Sequence, residues 1–171
     1  LVDYLFIVSY DNKATITGTS ELNGVTDLTL PGSFTVGAAA YPVTAIYQNA
    51  FKMSAIIAVT IPASVVTIKT QAFFNTTSLA TVTFVGATDG NSECTFIGTG
   101  AFNTTAITDI VIPASVVTIE AGAFQNIPSL ETVSITTATV TYGAQSFHTN
   151  SSSDLNVVVR DIATAAGLST W

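Results

Sequence analysis

Charge is the scarcest commodity in this chain. Only 9% of its 171 residues are Asp, Glu, Lys or Arg, where a soluble domain usually carries about a quarter. Four bases stand against 11 acids, a net charge of −7, so a phosphate backbone has almost nothing to grip and nucleic-acid binding is excluded as a function. A single cysteine, Cys94, forbids an intramolecular disulfide framework. A single histidine, His148, leaves no His cluster for a metal, and any nucleophile–His–acid unit would have to be assembled from Cys94 or a Ser around that one residue. Long apolar runs are missing as well. Stretches such as Ala55–Val59 and Val157–Val159 are short and bounded by polar residues, whereas a membrane-spanning helix needs roughly 20 apolar residues in a row. Neither an initiator Met nor a basic leader opens the chain at Leu1, so a processed protein or an excised segment is expected.

What the chain does contain is apolar and periodic. Hydrophobic residues make up 48% and the mean hydropathy is +0.55, which excludes disorder because burial of that surface offsets chain entropy. The length suits one domain. Polarity comes from Thr, Ser and Asn rather than from charge, and Thr, Val and Ile together favour a pleated, half-buried surface.

The octet Ile61-Pro62-Ala63-Ser64-Val65-Val66-Thr67-Ile68 recurs letter for letter at Ile112–Ile119, an offset of 51. Small-Phe pairs fall at Ala50-Phe51, Ala72-Phe73, Ala101-Phe102, Ala123-Phe124 and Ser146-Phe147, with Phe spacings of 22, 29, 22 and 23. Five residues before each Phe stands Ile46, Ile68, Ile97, Ile119 or Tyr142. After the first four follows an apolar-x-x-apolar-x-apolar run: Ile56-Val59-Ile61, Leu79-Val82-Phe84, Ile107-Ile110-Ile112 and Leu130-Val133-Ile135. Val25-Leu28-Leu30 is an earlier copy, and a degenerate one begins at Leu155. A period in the low twenties with a fixed apolar ladder predicts a solenoid, because one coil cannot bury its own apolar face and must stack on the next. The apolar run predicts a short strand, ended by Pro31, Pro62 or Pro113 in three coils. The Ile-x-x-x-Ala-Phe stretch predicts a tight turn or a short 3₁₀ segment on the opposite wall.

The run IPASVVTIKTQAFFNTTSLATVTF resembles the BspA-like leucine-rich repeats of surface proteins, and the resemblance extends over about Val25 to Val159. It implies a right-handed coil and a secreted or cell-surface binding protein, often tied to adhesion. The family often places Cys a few residues after Ala-Phe, where this chain has Thr, Ser or Ile.

The chain therefore reads as a single solenoid domain over residues 1–171, mainly β with short 3₁₀ or helical turns. Residues 1–24 form a β-hairpin cap around Tyr10-Asp11-Asn12-Lys13, residues 25–159 form five to six coils, and residues 160–171 form a C-terminal cap. In that last cap Asp161 caps a short helix, Ile162 to Ala166, stopped by Gly167, and Trp171 closes the final coil. Two stretches, Leu30 to Ile46 and Phe84 to Ile97, use 16 and 13 residues where other coils use 7. These insertions are expected as loops, where function concentrates.

Chemistry is sparse. Cys94 aligns with Val43, Val65 and Val116, which makes it a core residue rather than a nucleophile. His148 shares a variable column with Lys52, Phe74, Asn103 and Gln125, which is expected to be exposed and without a catalytic role. Asp89, Asn91 and Glu93 alternate oxygen-bearing side chains that calcium would accept, but the spacing is not that of an EF-hand, and a solvated turn is the simpler reading. Thr-x-Thr occurs at Thr15–Thr17, Thr81–Thr83 and Thr139–Thr141, a feature of flat ice-binding faces, though here in three unrelated contexts.

The best candidate surface is a pair of outward strand columns. One runs Thr29, Thr60, Thr83, Val111, Ser134, and its neighbour runs Asp27, Ala58, Thr81, Asp109, Thr132. Neither holds an aromatic anchor, so an interface there has to draw on loop residues such as Phe34, Tyr41 and Tyr47. Asn75, Asn103 and Asn150 head glycosylation acceptor sequences along one edge. The expected function is non-enzymatic binding at a cell surface or outside the cell, without a cofactor, to a protein or glycan partner. A structural spacer and an ice-binding face are the alternatives.

Overall fold

Alternation of apolar and hydroxyl-bearing residues builds nearly all of this structure. The computed structural model describes residues 2–20, 22, 24–135 and 140–148, with the strand path of residues 156–159. The expected C-terminal helix and cap lie outside the described residues.

Two walls of strands alternate along the chain, one of each per coil. The first wall holds β3 (Asp27–Thr29), β6 (Ala58–Ile61), β8 (Thr81–Phe84), β10 (Asp109–Ile112), β12 (Thr132–Ile135) and β14 (Asn156–Val159). The second holds shorter strands: the end of β5 (Ala39–Ile46), then β7 (Thr67–Ile68), β9 (Phe96–Ile97), β11 (Thr118–Ile119) and β13 (Thr141–Tyr142). Ladder partners are parallel and sit at equivalent repeat positions, such as Val59↔Val82 on the first wall and Ile68↔Ile97 on the second. Side chains alternate across each strand, so Ile56, Val59 and Ile61 point into one core with Leu79, Val82 and Phe84, with Ile107, Ile110 and Ile112, and with Leu130, Val133 and Ile135.

The third side of each coil is the Phe turn. Phe51, Phe73, Phe102, Phe124 and Phe147 are buried and stack with ring centroids 5.1–5.2 Å apart. The turn is not 3₁₀, and no helix occurs among the described residues. Two residues before each Phe the backbone is left-handed, at Asn49, Gln71, Gly100, Gly122 and Gln145, and it is so again two residues after, at Met53, Asn75, Thr104 and Asn126. A 3₁₀ segment needs negative φ throughout and uses its N–H groups internally. Here alternate donors point out of the coil. Asn49, Phe51 and Met53 donate to Thr70, Ala72 and Phe74 of the next coil, while Ala50, Lys52 and Ser54 donate back to Tyr47, Asn49 and Phe51. The turns therefore stitch coil to coil as a sheet would.

β1 (Tyr4–Val8) and β2 (Ala14–Thr19) form the expected antiparallel hairpin, and β2 pairs in parallel with β5, so the cap continues the second wall. The first insertion is not a loop. β4 (Ser33–Val36) folds back antiparallel on the start of β5 through a two-residue turn at Gly37, whose φ of +62 suits the first position of a type II′ turn. Phe34 on that hairpin stacks on Phe6 at 3.9 Å and meets Tyr4 edge-on at 6.2 Å. The insertion thus enlarges the N-terminal cap.

Candidate functional site

The outward columns of the first wall fall in register. Asp27, Ala58 and Thr81 are successive ladder partners, as are Thr29, Thr60 and Thr83. Further along, Asp109 pairs with Thr132, and Val111 with Ser134. Asp27, Thr29, Thr81, Thr83 and Asp109 are exposed, and Thr60, Val111, Thr132 and Ser134 are half-exposed.

The wall is not continuous. β3-β6-β8 and β10-β12-β14 are separate three-stranded sheets, and β8 and β10 lie side by side without pairing. Ala106 N–H to Leu79 C=O, at 2.9 Å, ties the two coils together just ahead of the seam. The seam falls in the coil that carries the second insertion. Each of the two columns read from the sequence is thus two short stretches laid end to end across the seam. The wall's charge is all of one sign: Asp27, Asp109 and the adjoining Glu131 are exposed, and its described residues include no base.

The second insertion folds as a turn closed by its own backbone bonds. Asn91 and Ser92 N–H donate to Gly86 C=O, and Glu93 N–H reaches Ala63 C=O at 2.9 Å. Asp89 accepts from Asn91 N–H at 3.1 Å, and that bond holds its carboxyl below the usual value. Among the described residues no group of three or more His, Cys, Asp and Glu is placed to hold a metal. Cys94 is fully buried in the column of Val43, Val65 and Val116, and desolvation pushes its thiol up to about 12. Burial therefore keeps the thiol in its protonated form at neutral pH. His148 is exposed, with Gln125 of the same column half-buried and Asn103 buried.

The acceptor asparagines divide. Asn75 is half-buried in a left-handed turn. Asn103 is buried, its Nδ2 donating to Gln125 Oε1 at 3.1 Å, and Gln125 Nε2 continues to Gln145 Oε1 at 3.3 Å. A glycan on Asn103 would have to replace one Nδ2 hydrogen of a side chain that is buried and bonded to Gln125. Asn150 lies outside the described residues. Of the aromatic residues expected to lend anchors, Phe34 and Tyr41 face each other across β4 and β5 and pack on the core, while Tyr47 lies under the Lys69 ammonium at 4.9 Å.

A second surface escaped the sequence reading. Thr15, Ala45, Thr67, Phe96, Thr118 and Thr141 are successive ladder partners along the second wall, Ala45 buried and the others at least half-exposed, and Ile7 extends the row onto the hairpin. Beside Thr67 and Thr118 stand Val66, half-exposed, and Val117, 53% exposed. The signal was present in Val65-Val66-Thr67-Ile68 and Val116-Val117-Thr118-Ile119, where the second Val falls on the outward phase.

The family model of the BspA type leucine-rich repeat region matches residues 44–165 in six copies. Among solved structures, a leucine-rich repeat protein from Bacteroides capillosus ATCC 29799 is similar with a TM-score of 0.61 at 24% identity, over 94% of this chain and 96% of that one. A leucine-rich cell surface protein from Faecalibacterium prausnitzii A2-165 gives 0.57 at 23% identity, over 95% of this chain and 55% of that one. The pneumococcal vaccine antigen PcpA gives 0.59 at 18% identity, over 92% of this chain and 47% of that one. The chain thus spans about half the length of the last two. These likenesses are of fold alone. No curated protein matches the sequence. No helix among the described residues is long and apolar enough to cross a membrane.

Proposed function

The chain belongs to the BspA-type leucine-rich-repeat family, and from that membership we propose that it is a non-enzymatic binding module, displayed on a cell surface or secreted, that recognises a protein or glycan through its first wall. The observation that carries this reading is the register of that wall. Hydroxyls and carboxylates at Asp27, Thr29, Thr81, Thr83 and Asp109 are presented in fixed rows by paired strands. Rigid elements hold such groups with little ordering entropy left to lose on binding. The rows accept hydrogen bonds and carry only negative charge, so they suit a ligand rich in donors: sugar hydroxyls, or the lysines and arginines of a protein. Function as a module within a longer surface protein accords with the length of the two larger solved structures.

A binding screen against extracellular-matrix proteins and glycans comes first. Thr83→Arg should then abolish any interaction found while leaving stability within about 0.5 kcal/mol, since the position is exposed. Deleting Thr88-Asp89-Gly90-Asn91 should leave binding intact. The reverse pattern would move the site to the insertion. An empty screen favours the spacer.

A further inference from the structure

Neighbouring strands of the first wall are joined by a pair of donors where each strand begins. Ile57 and Ala58 N–H both donate to Thr26 C=O, Ala80 and Thr81 N–H to Ile57 C=O, and Glu131 and Thr132 N–H to Thr108 C=O. At the seam the equivalent donors, Thr108 and Asp109, make no bond to Ala80 C=O among the described residues. The strand ends differ as well. Val85 N–H, one residue past β8, donates to Ile61 C=O at 2.9 Å, but Pro113 holds that position after β10 and has no N–H to give. Phe84 C=O accepts from Ala87 N–H instead, at 3.2 Å. The core is also least closed here. Val82 and Phe84 on β8 are 7% and 5% exposed, whereas Val59, Ile61, Ile110, Ile112, Val133 and Ile135 are 0–2% exposed. The other two sides of the same coils stay bonded. Gln71, Phe73 and Asn75 N–H donate to Thr99, Ala101 and Asn103 C=O at 2.8–2.9 Å, and β9 pairs with β11 at Phe96↔Thr118 and Ile97↔Ile119.

We propose that the seam is a hinge: the two halves of the solenoid open and close on the first wall, pivoting about the corner where the second wall meets the Phe turn. A strand pair without ladder bonds resists separation through side-chain packing alone, and elements poor in backbone bonds open at the lowest free-energy cost. The bonded sides confine the motion to a rotation. Backbones already touch at the pivot corner, where a Cβ on Gly98 would lie 2.8 Å from Thr70 N, so that corner is a fulcrum while the unbonded side moves. Asp27, Thr29, Thr81 and Thr83 ride on one half, and Asp109, Thr132 and Ser134 on the other. The ligand face is then two rigid half-faces at an adjustable angle, a consequence that rests on the role proposed for the first wall. The motion itself belongs to the free chain.

Double electron–electron resonance between paired spin labels, on the whole chain with Cys94→Val as background, tests this. Labels at Thr29→Cys and Ser134→Cys span the seam along the first wall, and labels at Thr15→Cys and Thr118→Cys span as many strands of the unbroken second wall. Both separations are roughly 19 Å, from strand spacings of ~4.8 Å. The first-wall pair should give the broader distance distribution, and Pro113→Val, which restores the missing N–H, should narrow it to the width of the second-wall pair. Pro113→Ala supplies the same N–H if circular dichroism finds the valine variant unfolded. Equal widths in the parent chain overturn the proposal. A broad first-wall distribution that the added N–H leaves unchanged places the motion outside the seam and overturns it too. No ligand is present in these measurements, so an empty binding screen leaves the hinge standing, and a rigid seam leaves the ligand face standing.

Discussion

Replacing Phe73 by Ala tests the coil register most directly, and Phe74→Ala is its internal control. Phe73 is fully buried, with Phe51 stacked on one side at 5.2 Å and Phe102 on the other at 5.1 Å. Truncation leaves a cavity walled by two neighbouring coils and removes two ring pairs at once. Phe→Ala in a core costs about 3–5 kcal/mol, and the loss of both pairs puts this site at the upper end. Phe74, one residue on, is only half-buried and lies under the Lys52 ammonium at 5.0 Å. Its loss removes a cation–π contact of about 0.5–1 kcal/mol and part of a buried ring. With a urea slope of ~2 kcal/mol per molar, Phe73→Ala should lower the midpoint by roughly 2 M and Phe74→Ala by well under half as much. Urea unfolding followed by far-UV circular dichroism reads both, and Phe73→Leu should recover most of the loss. Equal midpoints for the two alanine variants would refute the stacked column.

Three further outcomes follow from local chemistry. Native Cys94 should resist thiol reagents and react on unfolding, Cys94→Val should fold normally, and stability should fall with pH in a defined window. The folded thiol titrates near 12 against 9.0 for the free group, so its contribution is complete below pH 9 and is lost as pH rises from there towards 12, where the unfolded chain alone ionises. Urea midpoints at pH 8 and pH 10.5 check it, and Cys94→Val should flatten part of the slope. The buried Thr76 hydroxyl donates to Phe51 C=O at 3.0 Å, whereas Ser54 Oγ, at the same repeat position, is buried without a partner; Thr76→Val should destabilise by about 1–2 kcal/mol while Ser54→Ala is neutral or stabilising, as thermal melts will read. Gly98→Ala sets a Cβ 2.8 Å from Thr70 N and 2.9 Å from Lys69 C of the preceding coil, an overlap of backbone that should destabilise by about 1–3 kcal/mol; an unchanged Tm would show the coils looser than described.

The sequence by itself determined the repeat, and with it every feature that recurs in phase. A stacked coil puts the same position in the same environment each time, so burial is written as a one-dimensional pattern. Phe73 with its column, Cys94 among Val43, Val65 and Val116, and the partners Thr60 and Thr83 could all be placed by alignment alone. The tertiary structure decided what falls out of phase. Phe34 meets Phe6 only because two hairpins fold onto each other, and nothing local to Leu30–Ile46 separates a capping hairpin from a loop. The left-handed turns use Asn, Gln, Met and Thr as well as Gly, so residue type did not announce a backbone that sends alternate donors to the next coil. The seam between β8 and β10, and the burial of Asn103 by Gln125, depend on how one coil seats against the next. The second wall was decided the same way, because β7, β9, β11 and β13 are two residues long each and become a face only when parallel pairing sets them edge to edge with β5 and the hairpin.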